Sequence, residues 1–265
     1  MIYVDGIKIE AGHYPDNTLL VKAPTLRGTS DSAVSFTLYY ENDAELFTLI
    51  CLKKHYAHKK ASYLWIPYCP HARMDRVKDN GDVFTLKYFA EIINSLNFTQ
   101  VTIYDPHSAV CTALINNVRV LEPTPFIDAA LLELNSQDKD FMVFYPDEGA
   151  MKRYSGMFQL PYAFGVKKRD WSTGKIQGLD VMGDVEGIKD KRILIIDDIC
   201  SRGGTFYHSA KKLKELGAKE VYLYVTHCEN TILEGELLTS GLIEKVYTTN
   251  SIFTKEHEKI EVFEL

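Results

Sequence analysis

The sequence predicts an α/β protein with two units, each a mostly parallel sheet flanked by helices. Short apolar and β-branched runs alternate with helical patterns along nearly the whole chain. The runs at residues 64–66 and 193–196 are apolar at every position, which is typical of strands buried on both faces of a sheet. Strands of this kind, alternating with helices, indicate parallel sheets covered by helices.

The boundary between the two units is expected near Pro123 and Pro125, where two prolines in close succession interrupt the alternation. We therefore expect a first unit at residues 1–122 and a second at residues 123–256. The last residues, 257–265, have the pattern of a short strand that is able to join either unit.

The individual elements are predicted in chain order from composition and period. β-Branched and aromatic runs indicate strands at residues 64–66, 101–104, 141–145, 193–196 and 221–225. Apolar residues at helical spacing indicate helices at residues 83–96 and 205–216. Gly217 is placed to end the second helix.

The composition limits the partners and the compartment of the protein. The formal net charge of -6 does not suggest a nucleic-acid partner. No run approaches the roughly 18 apolar residues of a membrane helix, and the N-terminus lacks the apolar stretch of a signal peptide. The five cysteines are scattered, which favours free thiols. We expect a cytoplasmic protein that binds neither nucleic acid nor membrane.

The clearest chemical signal lies where the apolar strand at residues 193–196 ends in two acids. A loop of small residues follows, and a helix then begins. Backbone N–H groups of such a loop, together with the positive end of a helix dipole, bind anions. Gly203 and Gly204 permit a close approach of the backbone. Carboxylates suit the hydroxyls of a sugar or a metal ion, so the segment fits a sugar phosphate such as ribose 5-phosphate.

The predicted contacts of the sugar phosphate share this one segment. Hydroxyls donate to the phosphate, carboxylates accept from the sugar, and the arginine either adds a phosphate contact or points to solvent. These residues are Asp197, Asp198, Ser201, Arg202, Gly203, Gly204 and Thr205.

The segment resembles the phosphoribosyl-binding motif of type I phosphoribosyltransferases and of ribose-phosphate pyrophosphokinases. Three further segments resemble the pyrophosphokinases in particular. Residues 66–76, IPYCPHARMDR, resemble the pattern PYxxYARQDR, residues 145–150, YPDEGA, resemble SPDxGG, and residues 183–187, GDVEG, resemble GDVxGK. The resemblance is collinear from about Tyr14 to the C-terminus. It implies two phosphoribosyltransferase-like domains, the first of which binds ATP and the second ribose 5-phosphate.

The resemblance also implies a reaction. Ribose-phosphate pyrophosphokinases transfer the β,γ-diphosphoryl group of ATP to the C1 hydroxyl of ribose 5-phosphate, giving 5-phosphoribosyl 1-pyrophosphate and AMP, with Mg2+ as cofactor. Members are homo-oligomers, so we expect a dimer or a higher assembly.

The resemblance assigns roles to residues outside the sugar-phosphate segment. Those implied to contact ATP are Arg73, Asp75, His107 and Asp16. His107 and Asp147 are implied as metal ligands. Lys167 and Arg169, with Lys168 as the alternative to Lys167, are implied as catalytic cations. They begin a polar stretch at residues 166–183 that is expected to be a mobile loop closing over the substrates.

Two other functions use the same loop. A phosphoribosyltransferase consuming phosphoribosyl pyrophosphate would keep residues 197–205 but would have no use for Arg73, His107 or Lys167. A catalytically silent associated subunit would be expected to lose the loop cations or Asp147, which this sequence retains. Arg202 departs from the family pattern, and the N-terminal region is shorter than in typical members.

Overall fold

A computed structural model describes residues 1–26, 32–136, 140–169 and 176–265, apart from the side chains of residues 167–169 and 176–178. The chain divides into two compact units, Met1–Glu122 and Pro123–Leu265. Each contains a mostly parallel sheet flanked by helices, so the predicted α/β fold class is confirmed.

The first unit contains eight strands and three helices within the described residues. They are β1 (Ile2–Val4), β2 (Ile7–Lys8), β3 (Gly12–His13), β4 (Leu19–Leu20), β5 (Ala33–Leu38), α1 (Ala44–His55), β6 (Ala61–Ile66), α2 (Thr85–Ser95), β7 (Gln100–Tyr104), α3 (Ala109–Leu114) and β8 (Val118–Leu121). The main sheet has the order β2-β1-β5-β6-β7-β8, while β3 and β4 form a separate hairpin. Strands β5 to β8 are parallel, and β1 is antiparallel to both of its neighbours.

The second unit contains seven strands and three α-helices within the described residues. They are α4 (Thr124–Glu133), β9 (Phe141–Tyr145), α5 (Glu148–Tyr154), β10 (Tyr162–Arg169), β11 (Ile176–Gly183), β12 (Arg192–Cys200), α6 (Gly204–Glu215), β13 (Glu220–Cys228), β14 (Val246–Thr249) and β15 (Ile260–Phe263). Short 3-10 helices cover Glu186–Ile188 and Asn230–Glu234. The sheet order is β11-β10-β9-β12-β13-β14-β15, and all pairs are parallel except β10 with β11.

The central strands of this second sheet are buried on both faces, as their apolar runs predict. Along β9, Met142 and Phe144 belong to one core cluster, whereas Phe141, Val143 and Tyr145 belong to the other. Strand β12 divides its apolar residues between the same two clusters. Helices therefore cover both sides, and only the carboxyl ends of these strands are left to form a site.

The C-terminus of α6 ends in the glycine that the sequence predicts. Gly217 has φ +91°, a left-handed conformation that costs glycine little. Its N–H donates to the carbonyl of Lys214, and the N–H of Ala218 donates to the carbonyl of Leu213, both at 3.0 Å. These two bonds define a Schellman motif.

Two predicted features differ from the structure. The stretch at residues 166–183 was expected to be a loop, but much of it forms an antiparallel hairpin of β10 and β11. Residues 170–175, which connect the two strands, are not among the described residues. Strand β12 does not end at residue 196 but continues through both acids to Cys200, because β13 pairs with it as far as Cys228. The C-terminal strand β15 pairs with β14 and belongs to the second unit.

Across the part of the chain that the structure describes, no helix has the length and the apolar character needed to cross a bilayer.

We expect Gly217→Ala to lower the free energy of unfolding by about 1–2 kcal/mol, since a side chain in the left-handed region is strained. The added Cβ would also lie 3.3 Å from Cγ of Lys189. Gly81→Ala is the matched control, because its φ is not positive and an added methyl group would meet no atom within 4 Å. Denaturant unfolding measures both variants; equal stability of the two would contradict the role of Gly217 as a cap.

Candidate active site

Two adjacent acids, Asp197 and Asp198, lie at the carboxyl end of β12, between the parallel strands β9 and β13. The side chain of Asp198 is only 4% exposed and its Oδ2 lies 3.2 Å from Nη1 of Arg153. The N–H of Asp198 donates to Oδ1 of Asp197 at 3.0 Å. The pair is thus held from two directions, by the backbone and by a cation.

The carboxyl group of Asp197 has an electrostatically unfavourable position. Burial raises its pKa well above the usual range, and the carboxylates of Asp198 and Asp147 raise that pKa further. A group of this kind at a strand end is typical of a binding site, where a ligand or a cation offsets the unfavourable charge.

The loop after β12 leads directly into α6. Gly203 has φ +80° and lies against Leu237, whose Cβ would be 2.9 Å from an added methyl group. At Gly204, the first residue of α6, an added methyl group would meet no atom within 4 Å. The N-terminus of this 12-residue helix is therefore open on the glycine side, and its N–H groups are suited to an anion.

The segment after β13 holds this loop from the other side. Oγ of Ser201 donates to Oε2 of Glu229 at 2.8 Å, and Arg202 pairs with Glu234, Nη2 to Oε2, at 2.8 Å. An added methyl group on Gly235 would lie 1.9 Å from the carbonyl oxygen of Arg202. The loop at residues 201–203 is therefore packed, backbone against backbone, on residues 229–235.

The contacts of Ser201 and Arg202 differ from the expected ones. The hydroxyl hydrogen of Ser201, expected to reach a phosphate, is directed to Glu229 instead. For Arg202 the sequence left two alternatives, a contact with the phosphate or an orientation toward solvent. In the structure it forms an exposed ion pair with Glu234. Exposed pairs of this kind are weak, typically below about 1 kcal/mol, so a phosphate can compete with Glu234 for the guanidinium.

Sequence reasoning missed Glu229, Glu234 and Gly235. They lie about 30 positions after the loop they contact, and no local pattern marks them. The parallel pairing of β12 with β13, which extends to Cys200 and Cys228, brings the two segments together.

Asp147, the predicted metal ligand of this unit, follows β9 and is the N-cap of α5. Its Oδ1 accepts from the N–H of Ala150 at 3.1 Å, which fixes the carboxylate at the same end of the sheet as Asp197. Mg2+ prefers one or two carboxylates plus phosphate oxygens and waters, so a single fixed carboxylate fits its chemistry. Among the described residues, no three His, Cys, Asp or Glu side chains form a metal site by themselves.

In the first unit, predicted ATP contacts lie after two adjacent parallel strands, β6 and β7. Asp75 is buried and accepts both bonds of a fork from Arg76, Oδ1 from Nε at 2.7 Å and Oδ2 from Nη2 at 2.9 Å. The pKa of Asp75 is lowered chiefly by the hydrogen bonds from Arg76. His107 lowers the same pKa only slightly. The structure thus brings Asp75, Arg76 and His107 together, and Asp75 orients the guanidinium of Arg76.

Two other predicted ATP contacts lie on the surface of this unit. Arg73 is exposed in the same segment as Asp75. Asp16 is exposed in the hairpin of β3 and β4, where its Oδ1 accepts from the N–H and the hydroxyl of Thr18 at 3.0 and 2.7 Å. These two bonds lower the pKa of Asp16, the hydroxyl contributing more.

The predicted catalytic cations are described only in their backbone. Lys167, Lys168 and Arg169 lie in β10, where Lys167 pairs with Leu179 and Arg169 with Ile176 of β11. Their side chains lie outside the described residues.

The comparisons with known proteins agree with this architecture. Residues 170–264 match the phosphoribosyl synthetase-associated domain. A ribose-phosphate pyrophosphokinase of Thermosipho africanus is 30% identical over 251 residues, which are 92% of this chain and 78% of the relative. The ribose-phosphate pyrophosphokinase of Clostridium perfringens is 29% identical over 97% of this chain and 81% of its own length. A phosphoribosylpyrophosphate synthetase structure from Mycobacterium smegmatis has the same fold, with a TM-score of 0.79 and 20% identity over 97% of this chain and 86% of that one.

The fold and the site together define a two-unit α/β protein in which a glycine loop and an open helix N-terminus follow paired carboxylates. At this identity and coverage, the chain belongs to the ribose-phosphate pyrophosphokinase family.

We expect Asp197→Asn to stabilise the protein in the absence of Mg2+ and substrates. The folded chain keeps a proton on Asp197 at pH values where the unfolded chain has lost it, so stability falls as the pH rises above the ordinary aspartate value. The asparagine variant lacks this loss and should melt higher at neutral pH, by roughly 2–4 °C for each kcal/mol. The advantage should vanish near pH 4, about the ordinary pKa of aspartate.

Thermal unfolding between pH 4 and 8 in EDTA tests this expectation. Asp128→Asn is the control, because Asp128 is an exposed aspartate on α4. If Asp197→Asn melts at the wild-type temperature throughout this range, the raised pKa of Asp197 in the folded chain is contradicted.

We expect Gly235→Ala to impair sugar-phosphate binding without unfolding the chain. The new methyl group has to displace the carbonyl of Arg202, which shifts the loop by more than 1 Å, and displacements of that size cost roughly 100-fold in activity. The KM for ribose 5-phosphate should rise, while that for ATP should stay unchanged. Gly156→Ala, where the methyl group meets no atom within 4 Å, is the control; equal kinetics of the two variants would refute the contact.

Proposed function

We propose that this chain transfers the β,γ-diphosphoryl group of ATP to the C1 hydroxyl of ribose 5-phosphate, giving 5-phosphoribosyl 1-pyrophosphate and AMP. The observation that carries the proposal is the arrangement of groups near the carboxyl end of β12. Two carboxylates, a left-handed glycine and an open helix N-terminus follow one another there within eight residues, Asp197 to Gly204. Membership in the ribose-phosphate pyrophosphokinase family supports the proposal.

The sugar phosphate is assigned to this loop. The phosphate accepts from the N–H groups of Gly204 and Thr205 at the start of α6, where the helix dipole favours an anion. Asp197 and Asp198 accept from the ribose hydroxyls. Arg202 exchanges Glu234 for the phosphate, and Ser201 positions the loop through Glu229.

The nucleotide is assigned to the first unit, including its hairpin of β3 and β4. Arg73 binds triphosphate oxygens through its guanidinium. Asp75 acts through Arg76, because both of its oxygens accept from that guanidinium. His107 and Asp16 complete the proposed nucleotide contacts.

The proposed cofactor is Mg2+, with Asp147 as the protein ligand proposed in the second unit and His107 as a separate candidate ligand in the first. Asp147 offers the oxygen donor that this ion prefers. When bound, the ion would neutralise charge on the phosphate oxygens of ATP.

The chemical step needs positioning and charge more than covalent help from the protein. The C1 hydroxyl oxygen attacks the β-phosphorus and loses its proton, the bond from the β-phosphorus to the bridging α–β oxygen breaks, and AMP leaves with the electron pair. Lys167 and Arg169 stabilise the charge that develops on the transferred group. We place the reaction in the cytoplasm and assign it to a homo-oligomer, a dimer or larger; the five free cysteines support a reducing compartment.

The decisive assay measures AMP formed from ATP and Mg2+, with and without ribose 5-phosphate. AMP should appear only when the sugar phosphate is present. Absence of AMP together with tight binding of phosphoribosyl pyrophosphate would favour a transferase or a silent subunit instead.

We expect Lys167→Ala to lower kcat by about 10²–10³-fold, the usual loss when one stabilising group is removed. The fold should be unchanged, because the backbone of Lys167 keeps its pairing in β10. Lys168→Ala is the adjacent control and should retain most of the turnover. If Lys168→Ala loses turnover and Lys167→Ala does not, the two roles are exchanged; near-normal turnover in both would reject the assignment.

A further inference from the structure

A cation that no prediction assigned, Arg153, contacts the acid pair. It lies in the last turn of α5, and its Nη1 is 3.2 Å from Oδ2 of Asp198. The side chain of Asp198 is 4% exposed and that of Arg153 is 25% exposed. The contact is therefore a largely buried ion pair, in contrast to the exposed pair of Arg202 with Glu234.

The guanidinium of Arg153 is held in place by its neighbour. Nη1 lies 3.3 Å from the hydroxyl of Tyr154, and the guanidinium carbon lies 5.2 Å from the centre of the same ring. Tyr154 is fully buried in the core cluster that also contains Leu194 and Ile196 of β12. The position of Arg153 is thus fixed by the core that supports the strand of the two acids.

Asp198 needs such a partner because of its surroundings. Asp197 is the adjacent residue, and Asp147 is close enough to raise the pKa of Asp197. A buried carboxylate without a counter-charge is strongly destabilising. Arg153 contacts Oδ2 of Asp198, and an ionised carboxylate has about four acceptor positions in all, so the same group is able to accept from a ligand as well.

We propose that Arg153 is a positioning residue for ribose 5-phosphate, which holds the Asp198 carboxylate in the orientation that accepts from the ribose hydroxyls. The inference rests on the proposed function, since it takes the sugar to be bound at the end of β12. It adds to that function a residue that reaches the sugar only through Asp198.

Binding of ribose 5-phosphate tests the role directly. The Kd is measured by calorimetry with Mg2+ and α,β-methylene ATP, whose bridging carbon prevents transfer. We expect Arg153→Met, which keeps the apolar stem, to weaken the Kd for the sugar phosphate at least tenfold while leaving that of the nucleotide analogue within twofold. Lys152→Met is the control, because Lys152 is 70% exposed and pairs with Glu148 on the surface; both of its Kd values should match the wild type.

A second substitution separates positioning from direct contact. In an Asp198→Asn background, Arg153→Met should change the Kd for ribose 5-phosphate by less than twofold, because the partner it orients is gone. Independent effects of the two substitutions would overturn the inference. So would an equal loss for both ligands, which indicates general damage, or a loss for the nucleotide analogue alone, which indicates contact with its phosphates.

Arg153→Lys decides the case if the methionine variant does not fold. An ammonium keeps the charge but lacks the planar fork, so the Kd for the sugar phosphate should lie between the wild-type value and a tenfold loss. A wild-type Kd in the lysine variant would overturn the inference. Failure of the proposed function is recognised separately, because the wild type would then form no AMP while still binding ribose 5-phosphate. If the wild type does not bind the sugar phosphate at all, both the proposed function and the role of Arg153 are overturned.

Discussion

The second unit depends on one constraint, the burial of β12 on both faces of its sheet. A strand enclosed in this way offers a ligand nothing but its end, so its chemistry is concentrated at Asp197 and Asp198. The negative charge gathered there has to be offset, and the loop that follows the acids has to be held in place. Arg153 comes from α5, the open N-terminus of α6 follows in the chain, and residues 229–235 hold the loop between them.

This constraint also explains why the site is unfavourable before a ligand binds. The raised pKa of Asp197 means that folding places a carboxyl group where its charged form is poorly tolerated. Enzymes commonly give up stability at sites that a substrate or a cation later satisfies. In this chain the acid whose charged form is poorly tolerated, Asp197, is also one of the two that we propose bind the sugar.

The bounds of the apolar strands were predicted unevenly: the runs at residues 64–66 and 193–196 are parts of the longer strands β6 and β12. Strand β9 was predicted to the residue, at Phe141–Tyr145, because a run of five apolar and aromatic residues favours a short buried strand. The hairpin of β10 and β11 was predicted as a loop, since its cations and glycines are also typical of loops and only pairing to β9 decides the matter. Helix α1 was not predicted, because its apolar residues are not confined to one face.

The residues of the candidate site divide in the same way. Asp197, Gly203 and Gly204 were predicted, because their motif is contiguous and its order follows from strand, turn and helix. Glu229 and Arg153 were not, because each reaches the motif through tertiary structure alone. Residues of a contiguous motif are therefore easier to predict from sequence than the distant residues that position the motif.

Helix α5 has a consequence that follows from its shortness. Its seven residues span only about 10 Å, with Asp147 as the cap at one end and Arg153 in the last turn at the other. A helix this short has no internal hinge, so a tilt of its first residue also tilts its last. Any displacement of Asp147 would therefore also displace Arg153 and alter its contact with Asp198.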